Sequence, residues 1–205
     1  MLQLNRCPKC SPETGIRVIP PEETIARVMP LLEKVGMGMP EDITSTDNIG
    51  IPVFSIHRPD APAGKYYNGK GPTREQAMAS GLMEAMERYS AAMQDCDELV
   101  YGTVEEAMGN GLAVEPGSLI LPINTVQVYR DSEIAWVEGY ELFRGSPIWV
   151  PACAVFYPYV PDTDLQLFKF HTNGIATGNT LEEAILHSLL ELVERDAWSI
   201  AEDRD

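Results

Sequence analysis

Two stretches of this chain carry one signature, G-x-T-x-E-x-A-x4-L-x-E-x-x-E-R. The first runs from Gly71 through Thr73, Glu75, Ala77, Leu82, Glu84 and Glu87 to Arg88. The second runs from Gly178 through Thr180, Glu182, Ala184, Leu189, Glu191 and Glu194 to Arg195. All eight fixed positions recur at one constant offset. Thr73 and Thr180 are good N-cap residues, and Gln76 and Glu183 three positions on complete a capping box, so a helix is expected to start at each place. Within each helix the two late glutamates lie roughly 60° apart and share a face, whereas Leu82 and Leu189 point roughly 200° away from the next glutamate. The apolar stripes are Met78, Leu82, Met86 and Tyr89 in the first helix, and Ile185, Leu189 and Leu192 or Val193 in the second. Two such helices can bring four carboxylates, Glu84, Glu87, Glu191 and Glu194, and two arginines, Arg88 and Arg195, to one cleft. Carboxylates suit hard divalent cations such as Mg2+, and arginines suit phosphate. The same spacing also makes i,i+4 ion pairs, Glu84 with Arg88 and Glu191 with Arg195, which on an exposed face need no function. Duplication favours the functional reading, because surface ion pairs gain nothing from being matched across two helices.

The rest of the chain constrains the setting. At 205 residues it is long enough for a sizeable core. A net charge of -16 argues against nonspecific nucleic-acid or anionic-membrane partners, and means that a polyphosphate would need metal ions or local arginines. No apolar run is long enough to span a bilayer and the N-terminus lacks a signal-peptide pattern. With four cysteines and no disulfide framework, a cytoplasmic setting is expected. Cys7-Pro8-Lys9-Cys10, in a tail expected to be flexible over residues 1–15, is half a zinc site or a redox pair, and Cys96 and Cys153 are isolated.

Pro20 and Pro21 lead into a helical pattern with Ile25, Val28, Met29, Leu32 and Val35 on one side. Pro30 is expected to kink or split it and Gly36 and Gly38 to end it. Strands are predicted at Ile43–Thr46, Ile51–His57 and Tyr66–Tyr67, then at Leu119–Leu121, Ile134–Leu142, Ile148–Val150 and Val155–Tyr157. Between them, residues 95–118 read as irregular, with a short helix near Val104–Met108. Gly69-Lys70-Gly71 reads mainly as a turn, with anion contact as the lesser reading. Phe168–Phe170 leads into the glycine-punctuated run Thr172–Asn179. His57 is expected to end a strand without a catalytic role. Strands before and between long helices predict an α/β (α+β) fold with mixed sheets, two pseudo-symmetric amphipathic signature helices each packed on a sheet, and one unit over 1–205.

These residues resemble the hallmark motifs of the YcaO superfamily. The resemblance rests on Ser80-x3-Glu84-x2-Glu87-Arg88 after Gly69-Lys70-Gly71, on Asn173-Gly174-x-Ala176-x-Gly178-Asn179-Thr180, and on Glu191-x2-Glu194-Arg195. Pro21-x2-Thr24, Gly50-Ile51-Pro52-Val53 and Arg58-Pro59 are weaker matches, and together the pieces cover nearly the whole chain. The resemblance implies an ATP-dependent enzyme that phosphorylates a peptide-backbone amide oxygen. A nucleophile then adds at the carbonyl carbon and phosphate leaves. An external sulfur donor gives a thioamide; a neighbouring Cys, Ser or Thr gives an azoline.

Carried over by position, Glu84, Glu87, Glu191 and Glu194 would hold Mg2+ on the ATP triphosphate. Arg88 and Arg195 would contact phosphate or brace those carboxylates, and Asn179 and Glu183 would meet the nucleotide. Arg17 and Thr24 stand where the family has an N-terminal lysine and serine that touch ATP. Ser80 would brace the site, and His187, its equivalent in the second copy, is expected to be a helix-surface or packing residue. Family members are about twice this length, so the chain is expected to be an N-terminal half, ending ten residues after Arg195. The general look is similar to archaeal members tied to thioamidation of a glycine in the methyl-coenzyme M reductase α subunit, with TfuA as partner and a homo-oligomeric assembly. Azoline formation on a ribosomal peptide is the close alternative. A carboxylate-bridged di-metal bundle would need His where Arg88 and Arg195 stand; a noncatalytic fragment that binds a peptide or partner is the reading from another class.

Overall fold

The computed structural model describes residues 2–11, 17–94, 97–119, 121, 129–160, 162–167 and 170–202. Cys96, Ile120 of the strand expected at Leu119–Leu121, and Phe168 of the run expected at Phe168–Phe170 lie outside the described residues, as does part of the expected tail. Among the described residues no helix is long and apolar enough to cross a membrane. The fold is mixed α and β, as expected; among the described residues its two small sheets pair their strands antiparallel rather than mixed. The chain divides into two units, one of Met1–Gln3 and Ala91–Thr172, the other of Leu4–Ser90 and Asn173–Asp205. The sequence gives no linker-like composition at this division.

The second of these units holds both signature helices. Its α1 covers Pro21–Val28, with Pro21 at the first helical position, where a missing N–H does no harm. Pro30 falls in the 3-10 turn Met29–Leu31 that succeeds α1, and Gly36, at φ 69°, closes a second such turn at Glu33–Val35. The sheet is β1 (Glu41–Asp42), β2 (Val53–His57) and β3 (Tyr66–Lys70), joined in that order. The strand expected at Ile43–Thr46 is instead a 3-10 turn over Thr44–Thr46. Asp42 accepts a hydrogen bond from Thr44 N–H and bends the chain there. His57 ends β2 and stacks on Tyr66, its ring centroid 4.5 Å away.

Phe54 and Ile56 of β2, and Tyr67 of β3, turn toward α2 (Arg74–Ala91), where Leu82 and Ala85 are fully buried. Gly69 and Lys70 belong to β3 rather than to a turn. The glycine is there for packing: a Cβ at Gly69 would lie 1.8 Å from Gly81 N, and one at Gly81 would lie 2.7 Å from Ile56 Cδ1. Strand and helix thus meet backbone to backbone. The second signature helix, α4 (Leu181–Glu202), has no such support. A turn and extended segment, not a strand, precedes it, and Leu189, Leu192 and Val193 of its expected apolar stripe are exposed. The expectation that each signature helix packs on a sheet therefore holds for α2 and not for α4. At the repeat positions that match Gly69 and Gly81 the second copy carries Ala176 and Ser188 rather than glycines.

The other unit is built on β4 (Val100–Gly102), α3 (Val104–Gly109), β5 (Ile134–Glu141) and β6 (Ser146–Pro151). The sheet order is β4-β5-β6. β4 falls in the region read as irregular; it is three residues long, too short to show a period. Thr103 and Glu106 form a full capping box at the start of α3. Trp136 is 1% exposed and donates its indole N–H to Gly102 O at 3.0 Å, which ties β5 to the end of β4. The strand expected at Val155–Tyr157 is absent. A 3-10 turn over Ala152–Ala154 rotates the chain and buries Phe156 in the core instead. The 3-10 turn Pro116–Ser118 similarly precedes Leu119 where a strand was expected.

The strand–helix contact gives a direct test. Gly69→Ala should lower the free energy of unfolding in urea by about 3 kcal/mol or prevent folding, because backbone cannot give way. Gly109→Ala, at a helix end with open space around it, should change it by less than about 1 kcal/mol.

Candidate functional site

The two helix starts are built alike up to one side chain. At α2, Thr73 Oγ1 accepts from Gln76 N–H, and Gln76 Oε1 accepts from Thr73 N–H, both at 3.2 Å. At α4, Thr180 Oγ1 accepts from Glu183 N–H at 3.2 Å, but the Glu183 carboxylate does not return to Thr180. It accepts instead from Arg17 Nη1 at 3.0 Å, Val18 N–H at 2.9 Å, and Asn179 N–H and Nδ2 at 3.3 and 3.2 Å. Its side chain is wholly buried. Burial alone would push the carboxyl up; the bonds from Val18, Arg17 and Asn179 outweigh it and hold Glu183 below the usual carboxylate range. Thr24, buried on α1, extends the network by donating to Asn179 Oδ1 at 3.0 Å. Residues far apart in sequence, Arg17, Thr24, Asn179 and Glu183, are thereby one hydrogen-bonded group.

This group forms one wall of a cavity of about 470 Å3. Ser80, Glu84 and Glu87 from α2 form another, and Lys70 brings a cation from the end of β3. Glu84 accepts two hydrogen bonds from Arg88, from Nε at 3.1 Å and Nη2 at 3.0 Å, and Arg88 Nη2 lies 3.7 Å from Glu87. Of the expected i,i+4 ion pair, Glu84 lines the cavity and Arg88 holds it from outside the lining. Glu87 is 7% exposed, and its carboxyl is pushed up to about 7. Burial is the first cause and the charge of Glu84 the second; Arg88 opposes both, and the charge of Glu191 adds to the rise. Glu87 is therefore costly to ionise where it lies, and a cation beside it would favour its charged form.

The second copy contributes less of its acidic face. Glu191 accepts from Gly174 N–H at 3.1 Å and lies 3.4 Å from Arg195. Glu194 and Arg195 are exposed and do not line the cavity. Among the described residues no three acidic, His or Cys side chains form a group that would hold a metal ion by themselves. What is present is a carboxylate pair, Glu84 and Glu87, with Glu191 close enough to raise Glu87. That donor set fits Mg2+, which keeps several waters and is held by one or two carboxylates together with substrate phosphates.

Thr177 and His187 line the cavity as well, and neither was assigned to it from sequence. Thr177 Oγ1 donates to Met83 O at 3.1 Å and pins the segment before α4 to α2; His187 Nδ1 lies 3.3 Å from Thr177 O. A signal for both was available. The signature repeats at an offset of 107, and this offset pairs Lys70 with Thr177, Gln76 with Glu183, and Ser80 with His187, all on the cavity wall. The tail expected to be flexible also has contacts here: Asn5 N–H donates to Glu182 Oε1 at 2.7 Å and Cys10 N–H to Arg17 O at 2.9 Å.

Comparison with known proteins shows the family. Residues 68–205 match the family model described as YcaO cyclodehydratase, ATP- and Mg2+-binding. A relative from Methanothermobacter thermautotrophicus, named only as an uncharacterized protein, is 44% identical over 92% of this chain and 48% of its own length. A second, from Rhizobium leguminosarum bv. trifolii, is named for its place in the tfuA 3' region; it is 33% identical over 91% of this chain and 44% of its own. Among solved structures, YcaO from Methanopyrus kandleri bound with AMPPCP and Mg2+ is 34% identical, with a TM-score of 0.69. It is matched over 92% of this chain and 46% of that one. The chain thus spans about half the length of the curated relatives it matches.

The buried charge at Glu87 has a pH signature. Its ordinary value is 4.5 and its folded value about 7, so between these the folded protein holds a proton that the unfolded chain has lost. Stability of the metal-free protein therefore falls as pH rises through that window. Glu87→Gln should remove this component, flattening the dependence of the thermal midpoint in EDTA between pH 5 and pH 7 and raising it at pH 8, relative to the parent chain. An equal decline in both proteins would refute the assignment.

Proposed function

The chain belongs to the YcaO family of ATP- and Mg2+-binding proteins, and from that premise we propose that it is the nucleotide-binding half of an enzyme that activates a peptide-backbone amide with ATP. The observation that carries the proposal is one cavity lined both by Glu84 and the buried Glu87, whose carboxyl is raised, and by the group Arg17, Thr24, Asn179 and Glu183. A purely structural ion-pair face would not bury Glu87 beside two like charges; a divalent cation relieves that repulsion.

In this reading Glu84, Glu87 and Glu191 hold Mg2+ on the triphosphate, with Glu194 drawn in on binding, and Arg88 fixes the position of Glu84. Arg17, Thr24 and Asn179 bind the nucleotide, and Arg195 braces Glu191. Glu183 fixes Arg17 and Asn179, so it orders the wall as much as it touches ligand. Ser80 and Lys70 lie where they can meet phosphate oxygens. Mg-ATP supplies the phosphoryl group that turns an amide oxygen, a poor leaving group, into a good one; the task of the chain is to orient the reactants and screen their charge.

The product we propose is a thioamide. The relative named for the tfuA 3' region supports this, and supports a TfuA-like partner. The substrate to which the resemblance points is a glycine of the methyl-coenzyme M reductase α subunit, and the setting is a cytoplasmic homo-oligomer. The family's description as cyclodehydratases supports the alternative product, an azoline.

Calorimetric titration with AMPPCP in the presence of Mg2+ tests the site in this chain. Glu84→Gln and Asn179→Ala should each weaken binding about tenfold, as expected for losing one charged or two neutral hydrogen-bonding contacts. Removing Mg2+ with EDTA should abolish most of the affinity. Binding that is indifferent to Mg2+ and to Glu84→Gln would refute the proposal and favour a peptide-binding fragment.

A further inference from the structure

The segment that leads into α4, residues 173–180, ties the two acidic faces together, and it does so twice in the same way. Gly174 N–H donates to Glu191 Oε2 at 3.1 Å, and Gly174 O accepts from Ser188 Oγ at 2.6 Å. Thr177 N–H donates to the Glu87 carboxylate, and Thr177 O lies 3.3 Å from His187 Nδ1. At each place a loop residue offers its N–H to an acidic side chain and is held at its carbonyl by a side chain of α4. The two carboxylates come from different helices, Glu87 from α2 and Glu191 from α4. Thr177 Oγ1 adds the bond to Met83 O that fastens the loop to α2. With its side chain bonded to Met83 and its carbonyl held by His187, Thr177 keeps its N–H on Glu87. A carbonyl oxygen can only accept, so the proton of the His187 bond is on Nδ1. Both His187 and Thr177 line the cavity beside Glu87.

We propose that His187 is a positioning residue for the metal site: through Thr177 it holds the Glu87 carboxylate where the divalent cation is bound, as Ser188 does for Glu191 through Gly174. The metal role rests on the nucleotide-binding reading above; the clamp on the loop does not. Outer partners of this kind fix the direction of a metal-binding carboxylate without touching the ion. His187 itself meets neither cation nor phosphate, and this gives its two ring nitrogens different weights. Nδ1 carries the function and Nε2 does not. Asn at position 187 places an amide N–H where Nδ1–H stands, one atom beyond Cγ. Gln places its amide one carbon farther out, at the level of Nε2. The two amides therefore separate a clamp on Thr177 from a direct contact with ligand.

The test has two stages, and the first needs no ligand. Amide hydrogen exchange of the isotope-labelled chain is followed residue by residue by NMR in EDTA. The Gly174 and Thr177 amides should be protected in the parent chain. His187→Ala should speed exchange at Thr177 about fivefold and leave Gly174 unchanged, and Ser188→Ala should do the reverse, so each variant certifies the fold of the other. His187→Asn should keep the parent rate at Thr177, and His187→Gln should not. A Thr177 amide that exchanges at the parent rate in His187→Ala overturns the clamp. In the second stage AMPPCP is titrated by calorimetry over a series of Mg2+ concentrations. The Mg2+ concentration that gives half the maximal affinity should rise about fivefold in His187→Ala and His187→Gln and stay at the parent value in His187→Asn. Recovery in His187→Gln but not in His187→Asn would put Nε2 on the ligand and overturn the positioning role. AMPPCP binding by the parent chain that does not respond to Mg2+ refutes the nucleotide reading, and the metal role of His187 with it, while the exchange rates still decide the clamp.

Discussion

The buried carboxylate of Glu183 is the point on which the site depends. Its position is fixed by the helix start, because Thr180 caps its N–H. Its charge must be satisfied away from water, and four donors do so: Arg17, Val18 and both nitrogens of Asn179. An ionised carboxylate without them would be expensive to bury. The segment before α1 and the loop before α4 are therefore held together by one charge, and Thr24 of α1 joins through Asn179. Removing the carboxylate would leave the Arg17 guanidinium and the Asn179 amide without their common acceptor.

The equivalent place in the first copy is Gln76, neutral, and it closes an ordinary capping box. The two copies have thus diverged in what their helix starts do. The α2 start is locally satisfied and the helix is seated on its sheet by the Gly69–Gly81 contact. The α4 start turns its capping group outward to hold other segments, and its apolar residues stay exposed. One copy lines the cavity with Glu84 and Glu87, held by Arg88; the other supplies the network around Glu183 that lines it as well. The raised carboxyl of Glu87, buried beside Glu84 and near Glu191, is the electrostatic counterpart of this arrangement.

Much of this was legible. The repeat located both helices, their caps and the acidic pair, because capping and i,i+4 geometry depend only on short spacings. Pro30 and Gly36 marked the end of the first helix for the same reason. Less legible were the short elements. β4 has three residues and β1 two, too few to show a period, and the runs at Ile43–Thr46 and Val155–Tyr157 lost their strand character to a side-chain turn and a 3-10 turn. Thr177 was given no role, and His187, matched to Ser80 by the repeat, was expected to pack rather than to line a site, because a cavity is a long-range object that local spacing does not show.

By itself, then, the sequence determined where the signature helices begin, which residues carry charge on them, and the family to which those motifs belong; these follow from local spacing. Tertiary structure decided which charges meet. It brought Arg17 and Thr24 to Asn179 and Glu183, placed Glu84 and Glu87 inside the cavity while leaving Glu194 and Arg195 outside it, and seated one helix but not its twin on a sheet. The reason is physical: a helix signature fixes the direction of each side chain relative to its own axis, but burial and backbone contact, here the Gly69–Gly81 approach and the buried Glu183, fix where that axis lies.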